Sequence, residues 1–308
     1  MPSIEPRPGV THEQIRLRSF AKINLGLEVL GKRSDGYHEI RTVFQSVSLS
    51  DLVTLRLKRK RGVEFQCNCP GIDAGNNLVV RAAEQTLKRL RCPLGIVAHL
   101  EKRIPIGAGL GGGSSNAAAT IIGISRLLDA DGGRMWMELG ADLGSDVPYF
   151  FVGGKALGVG TGAEVYALED DAPVRVLIVV PQFQVATAKA YAGLSLKLTR
   201  DSRESKIPVF CWGYLNSLKS MNLLTNDFEK LIFKRYPRLK KIKQELLDSG
   251  AYGAGLTGSG AAVFGLFRSG VLRRRALASL GRIPDIRVVE ATTVNRKRYW
   301  ETLVEMAK

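Results

Sequence analysis

Pro105-Ile106-Gly107-Ala108-Gly109-Leu110-Gly111-Gly112-Gly113-Ser114-Ser115-Asn116 decides how this chain is read. Five glycines and two serines run straight into Ala117-Ala118-Ala119, which opens a helical stretch to about Leu128. Without Cβ atoms the backbone can approach a ligand closely and take positive φ. Successive N–H groups at a helix N-terminus, reinforced by the helix dipole, form an anion site. The hydroxyl of Ser114 or Ser115 can bond a phosphate or help hold a metal ion. A plain glycine turn is the bland alternative, and the immediate Ser-Ser-Asn helix start argues against it. No G-x-x-x-x-G-K-[ST] occurs, which excludes a Walker-type loop. Gly107-x-Gly109-x-x-Gly112 does fit the dinucleotide pattern. However, Asp129 and Asp131, at the spacing of a ribose-binding acid, continue a helix through Arg126-Leu127-Leu128 and end no strand. The NAD reading is therefore rejected.

Around this loop the chain alternates strand and helix patterns. Strands are expected at Ile15–Phe20, Leu25–Leu30, Tyr37–Leu49 and Val53–Leu57, with a polar turn at Gly31–Gly36. Asn76-Asn77 caps a helix over Leu78–Leu90, and Ile96–Leu100 reads as a strand. Met135–Leu143 is helical and leads into Gly144-Ser145-Asp146-Val147-Pro148. The acidic, proline-ended break Glu169-Asp170-Asp171-Ala172-Pro173 divides the chain into residues 1–171 and 172–308. Val174–Val180, apolar but for Arg175, suits a buried strand. Helices at Asp227–Lys234, Leu239–Ser249 and Arg273–Leu280, with strands at Ala261–Phe267 and Ile286–Ala291, suit an α+β sandwich.

The 308 residues are 45% hydrophobic and 24% charged, a globular composition that excludes wholesale disorder. No apolar run approaches the ~18 residues of a membrane span. Met1–Val10 carries three prolines and no apolar core, so no signal peptide is expected and the cytoplasm is the expected location. Four cysteines are too few for a disulfide scaffold, and Cys67-Asn68-Cys69 has no histidine at ligand spacing. Lys and Arg number 45 against 29 Asp and Glu, a formal charge of +16. That excess suits either a nucleic-acid binder or an enzyme for polyanionic substrates. Lys58-Arg59-Lys60-Arg61 and Arg273-Arg274-Arg275 are short runs without an RNA-recognition aromatic signature, so no specific nucleic-acid partner is expected.

Four ordered motifs between about residues 18 and 270, the N-terminal one in two parts, carry a resemblance. The loop Pro105–Ser115 resembles the phosphate motif of the galactokinase, homoserine kinase, mevalonate kinase and phosphomevalonate kinase superfamily. Leu256-Thr257-Gly258-Ser259-Gly260-Ala261-Ala262-Val263-Phe264 resembles its C-terminal glycine motif. Ala21-Lys22-Ile23-Asn24-Leu25, Asp35-Gly36-Tyr37-His38-Glu39-Ile40 and Gly140-Ala141-Asp142-Leu143-Gly144-Ser145-Asp146-Val147-Pro148 are more specific. They are similar to the 4-diphosphocytidyl-2-C-methyl-D-erythritol kinase family. The resemblance implies ATP-dependent phosphorylation of the 2-hydroxyl of that diphosphocytidyl sugar alcohol, a step toward isoprenoid precursors by the non-mevalonate route. It implies two α+β domains with the active site in the cleft between them. The first is ribosomal-protein-like with a left-handed βαβ unit; the second is ferredoxin-like. Other readings are a homoserine or phosphomevalonate type of kinase, or a basic RNA-binding protein on this scaffold.

Carried over residue by residue, the resemblance makes Asp146 the catalytic carboxylate and Lys22 its active-site lysine. An alcohol attacking phosphorus must lose a proton, which a carboxylate can accept. An ammonium can hold that carboxylate ionised and stabilise the transferring phosphoryl. Asp142 is a weaker base candidate without a motif match. Asn24, two residues from Lys22, shares its strand face. Tyr37 and His38 match the cytosine-recognition pair, and Tyr191 aligns loosely with a second aromatic over the base, with Phe183 as its competitor. Gly258, Ser259 and Gly260 are expected to bring backbone to the phosphates. Pro105, Ile106, Gly107, Ala108, Gly109, Leu110, Gly111, Gly112, Gly113, Ser114 and Ser115 are expected to bind ATP. Mg²⁺ is expected with the nucleotide, but no second acid has a motif position, so its ligands are not legible. The oligomer, monomer or homodimer, is equally illegible.

Overall fold

Strand β1, Gln14–Lys32, and strand β2, His38–Lys58, run antiparallel along nearly their whole length. The computed structural model describes residues 13–72, 75–183, 185 and 224–305. The expected breaks inside both strands do not exist. The strands run through them with register shifts at Phe20/Ala21, Asn24/Gly26 and Val29/Gly31. Lys22, Asn24, Thr42, Gln45 and Ser46 are buried. Buried polar residues spoil the apolar alternation by which a strand is recognised.

The other edge of β2 is shared. Strand β4, Gly95–Glu101, pairs with Leu52–Lys58, and strand β5, Lys155–Gly160, pairs with Ile40–Gln45. Strand β3, Val63–Cys67, lies parallel to β4, with helix α1, Leu78–Arg89, crossing between them. Asn77 caps α1 by accepting the Val79 N–H at 2.8 Å. Strand β6, Glu164–Ala167, closes the far edge and was not anticipated. Helices α2, Gly112–Leu127, and α3, Gly133–Leu143, join α1 over this sheet, with Leu17, Leu55, Val79, Ile121 and Ile124 in the shared core.

The second sheet has the order β10-β7-β9-β8 and is antiparallel throughout. Its strands are β7 (Arg175–Pro181), β8 (Gly253–Leu256), β9 (Val263–Phe267) and β10 (Ile286–Thr292). Helices α4 (Phe228–Arg235) and α5 (Pro237–Asp248) precede β8, and α6 (Gly270–Leu280) precedes β10. This is the split-βαβ, ferredoxin-like arrangement. Leu177 and Val179 pack on Ile232, Leu246 and Leu280, whereas Val176 and Ile178 pack on Ala21, Ile23 and Val43 of the first sheet. Strand β7 is covered on both faces from Val176 onward, which is why Val176–Val180 is uninterruptedly apolar.

Beyond β10 the chain forms one more helix. Helix α7, Arg296–Leu303, is capped by Asn295, which accepts the Arg298 N–H at 2.8 Å. It returns to the first core, where Tyr299 and Leu303 are buried and the Tyr299 hydroxyl donates to the Phe150 carbonyl at 2.7 Å. Among the described residues no helix is long and apolar enough to cross a membrane.

Candidate active site

Strand β1 carries Lys22 and Asn24 inward, both buried. The Lys22 ammonium donates to Asn24 Oδ1 at 2.8 Å and lies 3.2 Å from Asp146 Oδ2. Its Nζ also sits 5.3 Å from the centre of the Phe44 ring. Asp146 occupies the tight turn between α3 and the 3₁₀ turn Pro148–Phe151, closed by the Val147 N–H bonding the Gly144 carbonyl at 3.0 Å. An ammonium this deep needs a compensating charge, and Asp146, about one-third exposed, supplies it while keeping a face toward solvent.

The glycine loop is stitched to this pair through its carbonyls. The Lys22 N–H donates to the Leu110 carbonyl at 3.0 Å, and the Ala262 N–H to the Ala108 carbonyl at 3.1 Å. Thr257 Oγ1 lies 3.1 Å from the Gly109 carbonyl and 3.2 Å from Asn24 Oδ1, sharing one proton between them. A Cβ on Gly109, at φ +77°, would lie 2.3 Å from the Thr257 carbonyl oxygen. Gly111, at φ 70°, caps α2, and a Cβ there would press on Lys22 Cγ and Phe150 Cζ at 2.9 Å. Glycine is thus required where strand, loop and second glycine turn touch. The first-turn N–H groups of α2 have no intrahelical partners, the geometry in which a helix N-terminus can take an anion. Ser114 is half-buried on the cleft wall. Ser115 is 1% exposed, and its Oγ has no hydrogen-bond partner among the described residues.

Asn24 is the hub. Its Oδ1 also accepts the Gly258 N–H at 2.8 Å, and its Nδ2 donates to Thr42 Oγ1 at 2.7 Å. Asn226 holds the second glycine turn from behind, donating to the Leu256 and Gly258 carbonyls at 2.9 and 2.8 Å.

Tyr37 and His38 sit at the far end, where β1 turns into β2. Arg33 braces the turn through Asp35 at 3.0 Å and Glu39 at 2.8 Å. The Asp35 carboxyl, accepting the Tyr37 N–H at 3.0 Å, is held below its ordinary range by that bond first and by Arg33 next. Tyr37 is 61% exposed, leaving its ring face free. Partial burial, and secondarily the Lys32 charge, push the His38 imidazole below its ordinary value, favouring the neutral ring.

One cleft of about 730 Å³ takes in Lys22, Asn24 and Asp146 at its centre and Tyr37 and His38 at one end. Gly109, Gly111 and Ser114 face it from the loop, and Gly258 and Ser259 from the second turn. Pro105, Ile106, Gly107, Ala108, Leu110, Gly112, Gly113, Ser115 and Gly260 do not line it. Asp142 is exposed on α3, away from the cleft, and Tyr191 lies outside the described residues. Among the described residues no three His, Cys, Asp or Glu side chains gather as metal ligands. Sequence reading passed over Thr42, Thr257 and Asn226. Thr257 lay within a quoted motif and Thr42 carries no local signal, while Asn226, whose Oδ1 accepts the Phe228 N–H at 3.0 Å, signals locally only a helix start.

The descriptions "GHMP kinases N terminal domain" and "GHMP kinases C terminal" match residues 77–154 and 214–283. A homoserine kinase from Cytophaga hutchinsonii shares the fold, with 22% identity and a TM-score of 0.70 over 97% of this chain and 98% of its own. The crystal structure of a 4-(cytidine 5'-diphospho)-2C-methyl-D-erythritol kinase is 32% identical, with a TM-score of 0.76 over 91% of this chain and 99% of its own. The 4-diphosphocytidyl-2-C-methyl-D-erythritol kinase of Solibacter usitatus is 40% identical over 303 residues, covering 94% of this chain and 92% of its own. At 40% identity over 94% of its length, the chain belongs to the 4-diphosphocytidyl-2-C-methyl-D-erythritol kinase family.

Proposed function

We propose that this chain transfers the γ-phosphoryl group of ATP to the 2-hydroxyl of 4-diphosphocytidyl-2-C-methyl-D-erythritol, serving isoprenoid precursor synthesis. The observation that carries the reading is the Lys22–Asp146 pair at 3.2 Å facing the glycine loop in one cleft.

In this mechanism Asp146 accepts the proton of the attacking hydroxyl through the carboxylate face that Lys22 leaves open. Two of the three Lys22 donors are engaged by Asn24 and Asp146, leaving one for the transferring phosphoryl. Asn24 fixes the ammonium and, through Gly258, the position of the second glycine turn against it. The loop amides of Gly109–Ser114 hold the triphosphate. Tyr37 stacks on cytosine, and the neutral His38 ring, with one donor and one acceptor, reads its edge.

Mg²⁺ fits this site as a nucleotide-borne ion. It is commonly held by substrate phosphates, waters and one or two carboxylates, with few protein ligands. Ser114 and Asp146 are the oxygen donors on the cleft wall, and behind it the buried Ser115 Oγ, without a hydrogen-bond partner among the described residues, suits a water or a phosphate oxygen that reaches the helix start. The ion would neutralise charge on the phosphates. We place the enzyme in the cytoplasm. We set the lobe boundary at residues 171 and 172, with α7 packed on the first lobe.

The test is a coupled ADP-release assay with a panel of alcohols. Turnover of the diphosphocytidyl acceptor, with homoserine and phosphomevalonate inert, is the expected outcome. Preference for either of those two would overturn the reading.

A further inference from the structure

The segment that launches the glycine loop is held by a carboxylate the mechanism above does not use. Strand β4 ends at Glu101, opposite Leu52 of β2. One further ladder step would place Lys102 beside Asp51, but there the chain peels away toward the loop. Asp51 is fully buried, and its Oδ1 accepts the Arg103 and Ile104 N–H groups at 2.6 and 2.7 Å. Those amides have left the sheet, and the carboxylate takes the place of a strand partner. Its Oδ2 receives the Lys102 ammonium at 2.5 Å. That ammonium abuts the start of α2, where a Cβ on Gly112 would lie 2.8 Å from Nζ. A cation at a helix N-terminus is disfavoured by the dipole, so Lys102 needs its counter-charge. Asn68 closes the arrangement by accepting the Lys102 N–H at 2.7 Å.

We propose that Asp51 is a positioning residue for nucleotide binding: through Arg103, Ile104 and Lys102 it sets the path and charge of the phosphate loop. It touches neither the cleft nor the reacting atoms. The inference rests on the reading that Gly109–Ser114 hold the ATP phosphates. Asparagine at 51 keeps one carbonyl oxygen for the two amides but removes the charge that balances Lys102. The loop should then shift while Tyr37, His38 and the acceptor end stay in place.

The experiment compares wild type, Asp51→Asn, Lys102→Met and Gly111→Ala. Binding of ATP with Mg²⁺ is titrated calorimetrically without acceptor, and KM is measured for ATP and for the diphosphocytidyl acceptor. Asp51→Asn should weaken ATP binding about tenfold or more, as a small displacement of positioned groups does, with acceptor KM changed less than about twofold. ATP affinity within about twofold of wild type, or an equal rise in both KM values, would overturn the proposal, since a merely structural role moves both together. If Asp51→Asn does not accumulate folded, Lys102→Met carries the same comparison with the same two outcomes. Undiminished ATP affinity in Gly111→Ala would overturn the loop reading itself. Loss there with Asp51→Asn intact would overturn only the role of Asp51.

Discussion

Asn24 Oδ1 accepts the backbone N–H of Gly258 at 2.8 Å, although 234 residues separate the two in the chain. The same oxygen accepts from Lys22 at 2.8 Å. One side-chain atom thereby ties the candidate catalytic lysine to the second sheet's glycine turn, so lobe position and ammonium position are set together. Asn24→Asp would put a second carboxylate beside Asp146 and remove the donor to Thr42. It should lower kcat about tenfold or more with ATP affinity little changed, and steady-state kinetics beside ATP titration would separate the two effects.

Asp146→Asn keeps the shape and loses the proton acceptor. Turnover should fall at least ~10²-fold while ATP still binds. Single-turnover kinetics with calorimetric ATP titration make the check, and a near-normal kcat would remove Asp146 from the role of base.

Gly109→Ala tests the contact between the two glycine turns. The added methyl meets the Thr257 carbonyl oxygen at 2.3 Å on a backbone with φ +77°. Strain and overpacking together should destabilise the fold by roughly 1–3 kcal/mol and raise KM for ATP. Denaturant unfolding beside ATP kinetics reads both. An unshifted midpoint would mean that the turns do not pack this closely.

His38 gives a pH signature. Its folded-state value is lowered from 6.5, chiefly by burial, so the unfolded chain takes up the proton first as pH falls. Its contribution to stability is complete above pH 6.5 and is lost as pH falls from there through the lowered value, after which it stays lost. Neutral imidazole is also the form proposed to read cytosine. KM for the cytidyl acceptor should therefore stay flat through 6.5 and rise only as pH falls through the lowered folded-state value, with KM for ATP unaffected. His38→Ala should flatten the acceptor profile and shrink the preference for cytidyl over uridyl acceptor, which wild type should show at roughly 1–3 kcal/mol per unmet polar group. Equal use of both bases by wild type would sink the base assignment and leave the kinase assignment standing.

By itself, the sequence determined the parts whose signal is local. Gly107–Ser115 reads as a glycine turn into a helix start because glycine content and helix start are neighbours in the chain. The Asn77 cap, the apolar run of β7 and the periodic helices α1 to α6 follow from short-range spacing. Lys22, Asn24, Tyr37, His38 and Asp146 were legible because they stand inside motifs. The tertiary structure alone decided that Lys22 and Asp146 meet at 3.2 Å. It alone ran β1 and β2 unbroken through their polar residues and folded α7 back onto the first core. Thr42, Asp51, Lys102 and Asn226 could not be singled out in advance. A polar side chain in a strand or loop reads as solvated until its partners are known, and those of Thr42 Oγ1, the Asp51 carboxylate, the Lys102 ammonium and Asn226 Nδ2 come from 16 to 53 residues away in sequence. Burial of such groups is stable only where those distant donors and acceptors arrive together, and that arrival is a property of the folded chain.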